Sequence, residues 1–383
     1  MVTAVALVAG GCGDSGSDDG RAAHEVRLAA ASATDYVELR TTLISAFQAQ
    51  TYLQCAADRD VERRKASQPA GAITAALDAN GRRLVDAVAA GYGEAAADVF
   101  SEAWNGYQDR LSRFLGARGD GDLATFRKAR DRFGRSPARL ARVLGGDRVG
   151  LPQEAIGEAL SLWVGAFLAA VVYLDQPSAT ERVTRAASFG KHLAGLIAEG
   201  SPAEAAASDP HDGPGPAQLR PALTAHLEEH AYLAAVAGEH AADARPGQFD
   251  RSVLVLSANG TTLTQAVEAA YGTEVAQTFG ELWSRRTESL VDYARAVTAD
   301  RSARFDPQEA RALASEQAAL FASVAPEVDE AALSGALGDS AVATAESIRL
   351  AVTDQGAAVN AVTEAAASLR DVARSLADGT RSS

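Results

Sequence analysis

Residues 77–104 read LDANGRRLVDAVAAGYGEAAADVFSEAW, and residues 256–283 read LSANGTTLTQAVEAAYGTEVAQTFGELW. At a constant offset of 179 the two stretches agree at 14 of 28 positions, among them Asn80/Asn259, Gly81/Gly260, Tyr92/Tyr271, Gly93/Gly272, Phe100/Phe279 and Trp104/Trp283. Chance in an alanine-rich chain gives roughly three or four matches, so this is an internal repeat. The matching extends outward. Leu39-Arg40…Tyr52-Leu53 pairs with Leu219-Arg220…Tyr232-Leu233, and LAGLIAEG (193–200) closes one copy where ARSLADG (373–379) closes the other.

The repeated stretch has helical periodicity. Phe100 and Trp104 stand four apart, as do Phe279 and Trp283, which puts both rings on one helical face. Gly93, after Tyr92, suits a left-handed helix end. Similar signals predict helices over 22–59, 69–91, 94–117 and 122–145, a fifth from Leu151-Pro152 through Leu174, and a sixth opened by a capping box at Ser178-x-x-Glu181. Asp306-Pro307 places an acceptor at an N-cap and proline at the first helical position. Asn80-Gly81 and Asn259-Gly260 recur in mid-helix, where neither residue is favoured. Two readings account for both: close helix approach at the glycine with the amide bonded across the bundle, or a shared ligand contact.

The expected fold is all-α: two tandem antiparallel helical bundles of about five to six helices each, related by internal duplication. A chain of 383 residues is long enough for two ordinary cores. Residues 1–20 read as a lipoprotein signal and Gly/Ser/Asp tether, 21–200 as the first bundle, 201–216 as a linker and 217–383 as the second bundle. Ser208–Pro216 holds three prolines and two glycines, which marks the linker.

The short apolar run Thr3-Ala-Val-Ala-Leu-Val-Ala-Gly-Gly leads directly into Cys12, and Gly13-Asp-Ser-Gly-Ser-Asp-Asp-Gly20 follows it. That layout is a bacterial lipoprotein signal, in which Cys12 carries the lipid and the polar tether lifts the folded part off the bilayer. The longest uncharged run, Ala159 to Leu174, has 16 residues. A spanning helix needs ~20, so this run reads as a helix buried on nearly all sides.

The net charge of −14 disfavours non-specific nucleic-acid binding. It is unevenly spread: residues 1–200 hold 23 basic and 24 acidic side chains, residues 201–383 hold 13 and 26. Much of the difference lies in Arg127, Lys128, Arg130, Arg132, Arg135, Arg139, Arg142 and Arg148. Such a run is either a solvated helix face or a face turned toward anionic lipid head groups or an acidic partner. Cys12 and Cys55 are the only cysteines, which leaves no disulfide framework and no paired-cysteine metal motif. Cys55 reads as a small buried apolar residue.

One cluster has metal-ligand spacing. In His226-Leu-Glu-Glu-His230 the two histidines share a helical face and Glu229 lies beside them, the H-x-x-E-H order of inverted zinc peptidases. Glu281 and Glu288 are the further acidic candidates. The larger scaffold of those peptidases is missing, and the positions aligned with the histidines are Ala46 and Gln50. No nucleophile elbow, phosphate loop or dinucleotide fingerprint is found in the sequence.

Leu-Arg…Tyr-Leu on the first helix, Leu-x-Ala-Asn on the second and Tyr-Gly-x-x-Ala-x-x-Phe-x-x-x-Trp on the third resemble a poorly characterised family of exported, often lipoprotein, tandem helical-bundle repeat proteins of actinobacteria and Gram-positive relatives. The resemblance covers both units, most clearly residues 39–115 and 219–294. It implies an all-helical fold and an exported location, and brings no activity with it. Members carry histidine on the first helix and again three residues after the tryptophan. Here the first survives as His226 and His230, and the second position holds Tyr107 and Arg286.

The functional expectation is a non-enzymatic, extracytoplasmic protein anchored to the cell membrane through lipid on Cys12, binding an envelope protein or ligand and no nucleic acid. The alternative is a metal-binding or metal-dependent bundle using His226, Glu229 and His230. No cofactor is specified by the sequence.

Overall fold

The computed structural model describes residues 33–66, 68–147, 149–173, 176–201, 216–300 and 302–380. The signal, tether and Cys12, linker residues 202–215, residues 22–32 of the first helix and Arg148 lie outside them. Among the described residues every regular element is an α-helix. These are α1 (Ala33–Arg64), α2 (Gly71–Tyr92), α3 (Glu94–Gly119), α4 (Leu123–Phe133), α5 (Ser136–Leu144), α6 (Gln153–Val172) and α7 (Ala179–Glu199) in the first half. In the second half they are α8 (Pro216–Ala242), α9 (Pro246–Tyr271), α10 (Thr273–Ala299), α11 (Pro307–Val324), α12 (Glu330–Ala351) and α13 (Gln355–Gly379).

Two helices sit at the centre. Every residue of α1 from Leu43 to Val61, and of α8 from Leu227 to His240, is buried. They lie side by side with residue numbers rising together, so they run parallel. Glu38 pairs with Arg220, Ser45 Oγ donates to Glu228 (2.9 Å), Gln48 Nε2 donates to the Ala225 carbonyl (3.1 Å), and Arg63 pairs with Asp243 (2.7 Å). Tyr52 and Tyr232 stack with centroids 4.8 Å apart and planes 6° apart. Arg59 pairs with Glu239 in the buried stretch. Tyr52/Tyr232, Arg59/Glu239 and Arg63/Asp243 each differ by 180 in number, the offset that aligns the first helices in sequence. Matched positions therefore face each other. Some of the buried polar groups pair across this seam and others reach neighbouring helices, as Gln54 does to Tyr107 and Thr51 to Trp163.

Around this pair the remaining helices fold back in short steps. Gly93 and Gly272 make the sharp junctions α2–α3 and α9–α10 with φ/ψ of 84°/166° and 85°/167°. This is the extended positive-φ region, open in practice only to glycine, and not the left-handed helical cap expected. Each glycine also begins the next helix. Tyr92 donates its hydroxyl to the Ile197 carbonyl, and Tyr271 donates to that of Leu376, tying α2 to α7 and α9 to α13 at the same offset of 179.

Three further expectations need correction. The helix predicted over 122–145 is two helices, broken at Gly134-Arg135. Ser178 makes no side-chain cap to α7 and instead accepts from Arg182 Nε (3.3 Å), so the capping box is not formed. The apolar run in α6 is buried on one side only. Trp163 and Phe167 are fully inside, whereas Leu162, Val172 and Tyr173 are 40–43% exposed. Among the described residues α6 alone is long and apolar enough to cross a membrane, by length and composition. Asp306 caps α11 as expected, accepting from the Gln308 and Glu309 amides.

Candidate functional site

The H-x-x-E-H stretch lies on α8, where helical spacing puts His226, Glu229 and His230 on adjoining turns. Their side chains then part company. His230 is buried against Trp283 (centroids 4.8 Å apart), whose Nε1–H donates to His230 Nδ1 (3.3 Å), while His230 Nε2 lies 3.4 Å from Thr287 Oγ1. His230 Nδ1 also lies 3.2 Å from Asn259 Oδ1, so the ring is engaged by α9 and α10, and its tautomer sets which of these Nδ1 contacts is a hydrogen bond. Burial, with the Arg286 guanidinium nearby, lowers the His230 pKa to about 3, so the ring is neutral. Glu229 takes Lys191 Nζ (3.0 Å) and Asn259 Nδ2 (3.3 Å) on Oε2 and Tyr52 Oη (3.5 Å) on Oε1. His226, partly exposed, has Nδ1 3.9 Å from Glu229 Oε2 and is lowered by burial and by Lys191. Glu281 and Glu288 are exposed. Among the described residues no group of three or more His, Cys, Asp or Glu side chains is arranged to hold a metal ion.

The repeated Asn-Gly pairs do the same work twice. Asn80 Nδ2 donates to the Ala46 carbonyl (2.9 Å) and to Gln50 Oε1 (2.9 Å); Asn259 Nδ2 donates to the carbonyl of His226, the residue matched to Ala46 (3.2 Å). A Cβ on Gly81 would stand 2.8 Å from Trp104 Nε1, and one on Gly260 3.3 Å from Trp283 Cδ1. Glycine is what lets the indoles approach the second helix of each half. Cys55 is buried, and desolvation pushes its thiol up to about 12, well away from reactive thiolate.

The basic run forms a surface of a different kind. Arg130 pairs with Asp131 and Arg139 with Glu102. Lys128, Arg132 and Arg135 turn the other way, into a groove of about 830 Å³ between α3 and α4. Arg110 and Arg113 of α3 face them across it. Gly116, Ala117 and Ala129 line it with small side chains, and Asp120 is the one acidic group among the lining residues. Arg110 donates to the Gly106 carbonyl (2.8 Å), and exposed Arg113 pairs with Asp109 (2.8 Å). The charge run in the sequence marks the α4 side of this groove and leaves the α3 side unmarked. The available signal was the three-residue spacing of Arg110 and Arg113, followed at once by Gly116-Ala117, on a helix that must pack beside the basic run.

Comparison with protein-family models, curated proteins and solved structures finds no match to this chain.

Proposed function

We propose that this chain is a lipid-anchored, extracytoplasmic helical module, built by doubling one all-helical unit into two antiparallel bundles, that binds a partner or ligand in the cell envelope and performs no catalysis. It is the kind of protein the resembled exported repeat family represents. The observation that carries the reading is the use made of the shared polar residues. Asn80 and Asn259 reach matched carbonyls, and so do Tyr92 and Tyr271. Residues held in common by the two halves serve to join helices, which is what duplication of a scaffold leaves behind. The anchor rests on the sequence around Cys12.

Fractionation of cells producing the full chain tests the anchor. The wild type is expected with the membranes and Cys12→Ala in the soluble fraction. A Cys12→Ala protein that stays with membranes ends the lipoprotein reading.

A further inference from the structure

We propose that the groove between α3 and α4 is a binding site for a small anion carrying two or more phosphate groups. At about 830 Å³ it falls within the ~300–1,000 Å³ range of small-ligand pockets. Its depth comes from Gly116, Ala117 and Ala129, where larger side chains would close it. Its charge comes from two helices at once: Arg110 and Arg113 on one wall, Lys128, Arg132 and Arg135 on the other. No carboxylate among the described residues lies within ion-pair distance of Lys128, Arg132 or Arg135. These cations, of which Arg113 is paired with Asp109, stand close enough to repel one another, and a bound anion would relieve that repulsion, in a chain whose net charge is −14.

Four of the five are arginine. The guanidinium fork matches tetrahedral oxyanions with paired hydrogen bonds that an ammonium cannot make. Lys128 and Arg132 stand one turn apart, and the helix break at Gly134 brings Arg135 to the same opening. From Lys128 to Arg135 the chain covers about 10 Å at helical rise. An elongated anion such as a polyphosphate or a doubly phosphorylated head group matches cations set along that length better than one phosphate does. The second half supplies an internal control. Ser289 and Asp292 stand at the positions of Arg110 and Arg113, α11 has one basic residue, Arg311, and the cleft beside Ser289 holds about 40 Å³. The packing shared by both halves therefore does not require the groove. The proposal stands on this geometry whether or not Cys12 carries lipid.

The test uses the full chain with Cys12→Ala, so that no anchor contributes. Calorimetric titration with inorganic tripolyphosphate, and co-sedimentation with vesicles of cardiolipin and phosphatidylcholine in equal parts against phosphatidylcholine alone, separate a soluble ligand from a lipid head group. Binding in either arm supports the site and names its source. Lys128→Gln/Arg132→Gln/Arg135→Gln must weaken it by at least about tenfold. Arg127→Gln/Arg142→Gln/Arg185→Gln, an equal loss of exposed charge outside the groove, must not. Ala129→Phe, which fills the groove and alters no charge, must weaken binding as well, with folding followed by circular dichroism. No binding in either arm overturns the proposal. So does equal loss in the two triple variants, which would mean attraction to charge in general.

Discussion

The two tryptophans at matched positions are held in different surroundings. Trp104 stacks on Tyr107 (centroids 4.9 Å apart) and faces Phe47 and Trp163, and its Nε1–H finds no acceptor among the described residues. Trp283 donates to His230 and is covered by the Arg286 guanidinium, 5.1 Å from its ring. Tyr107 and Arg286 occupy the same repeat position, as do Gln50 and His230. Arg286 in turn donates to the Leu337 carbonyl (2.7 Å) and Ser340 Oγ (2.6 Å), so its buried charge is hydrogen-bonded. The difference teaches that backbone geometry is shared through Gly, Asn and the indole itself, while the layer around the indole is free to be aromatic or polar. Of the H-x-x-E-H residues, His230 belongs to that polar layer.

Removing either indole is the largest expected effect. Trp104→Ala and Trp283→Ala each cost ~3–5 kcal/mol in urea denaturation, as buried aromatic truncations do. The phenylalanine variants sharpen the contrast. Trp283→Phe removes the hydrogen bond to His230 Nδ1, an added cost of about 0.5–1.5 kcal/mol that Trp104→Phe, with no acceptor to lose, does not incur. Equal costs for the two phenylalanine variants would break the comparison. A similar effect is expected at the seam. Arg59→Glu sets like charges together in the core and costs ~3–5 kcal/mol, the range for a broken buried pair. Because matched positions meet there, adding Glu239→Arg restores an inverted pair and recovers most of that loss. A double variant no better than the single one would show that the two central helices are not apposed in this way.

Next come the junction glycines. A Cβ at Gly93 or Gly272 meets nothing within 4 Å, so the cost of Gly→Ala is backbone strain alone, about 1–3 kcal/mol and alike in the two halves. These residues were legible in the sequence because identical side chains serve one purpose in both copies. The parallel seam was not. α1 and α8 are buried all round, which removes the periodicity that reveals a packed face, and partners such as Ser45 and Glu228 lie 183 residues apart. The split of the 122–145 helix was legible at Gly134 and Pro137, a glycine followed within three residues by a proline that opens the second helix. Half of the anion groove was legible as a charge run. The other half depended on which α3 arginines face α4, and that is set by tertiary packing.

Acid titration tests the histidine contrast. His230 has a folded pKa of about 3 against an ordinary 6.5. Its neutral form is the folded one, so its contribution is complete above pH 6.5. Below that the unfolded chain takes the proton first, and stability falls as pH drops toward 3 at up to ~1.4 kcal/mol per pH unit. His230→Gln installs the side chain found at the matched position, Gln50, and removes that slope. The measurement is the difference in melting temperature between variant and wild type from pH 7 to pH 5. A constant difference would mean His230 is not the buried neutral ring described. His240, lowered to about 2 by burial and by Arg59, Arg245 and Arg63, remains in both proteins and cancels.

The smallest effect lies where the central helices end. Lys65 and Ala244, again 179 apart, both have positive φ, 49° and 54°, although neither is glycine. The seam upstream keeps an offset of 180, so the one-residue difference between the halves is absorbed between Arg63/Asp243 and these two turns. A left-handed residue with a Cβ costs roughly 1–2 kcal/mol, and glycine relieves it while adding freedom to the unfolded chain. Ala244→Gly and Lys65→Gly should therefore stabilise by up to about 1 kcal/mol each. The two gains should be equal within error, because neither side chain is needed to set the turn. A loss at Lys65 with a gain at Ala244 would mean that the lysine side chain itself holds the end of α1, and that the two exits are not equivalent.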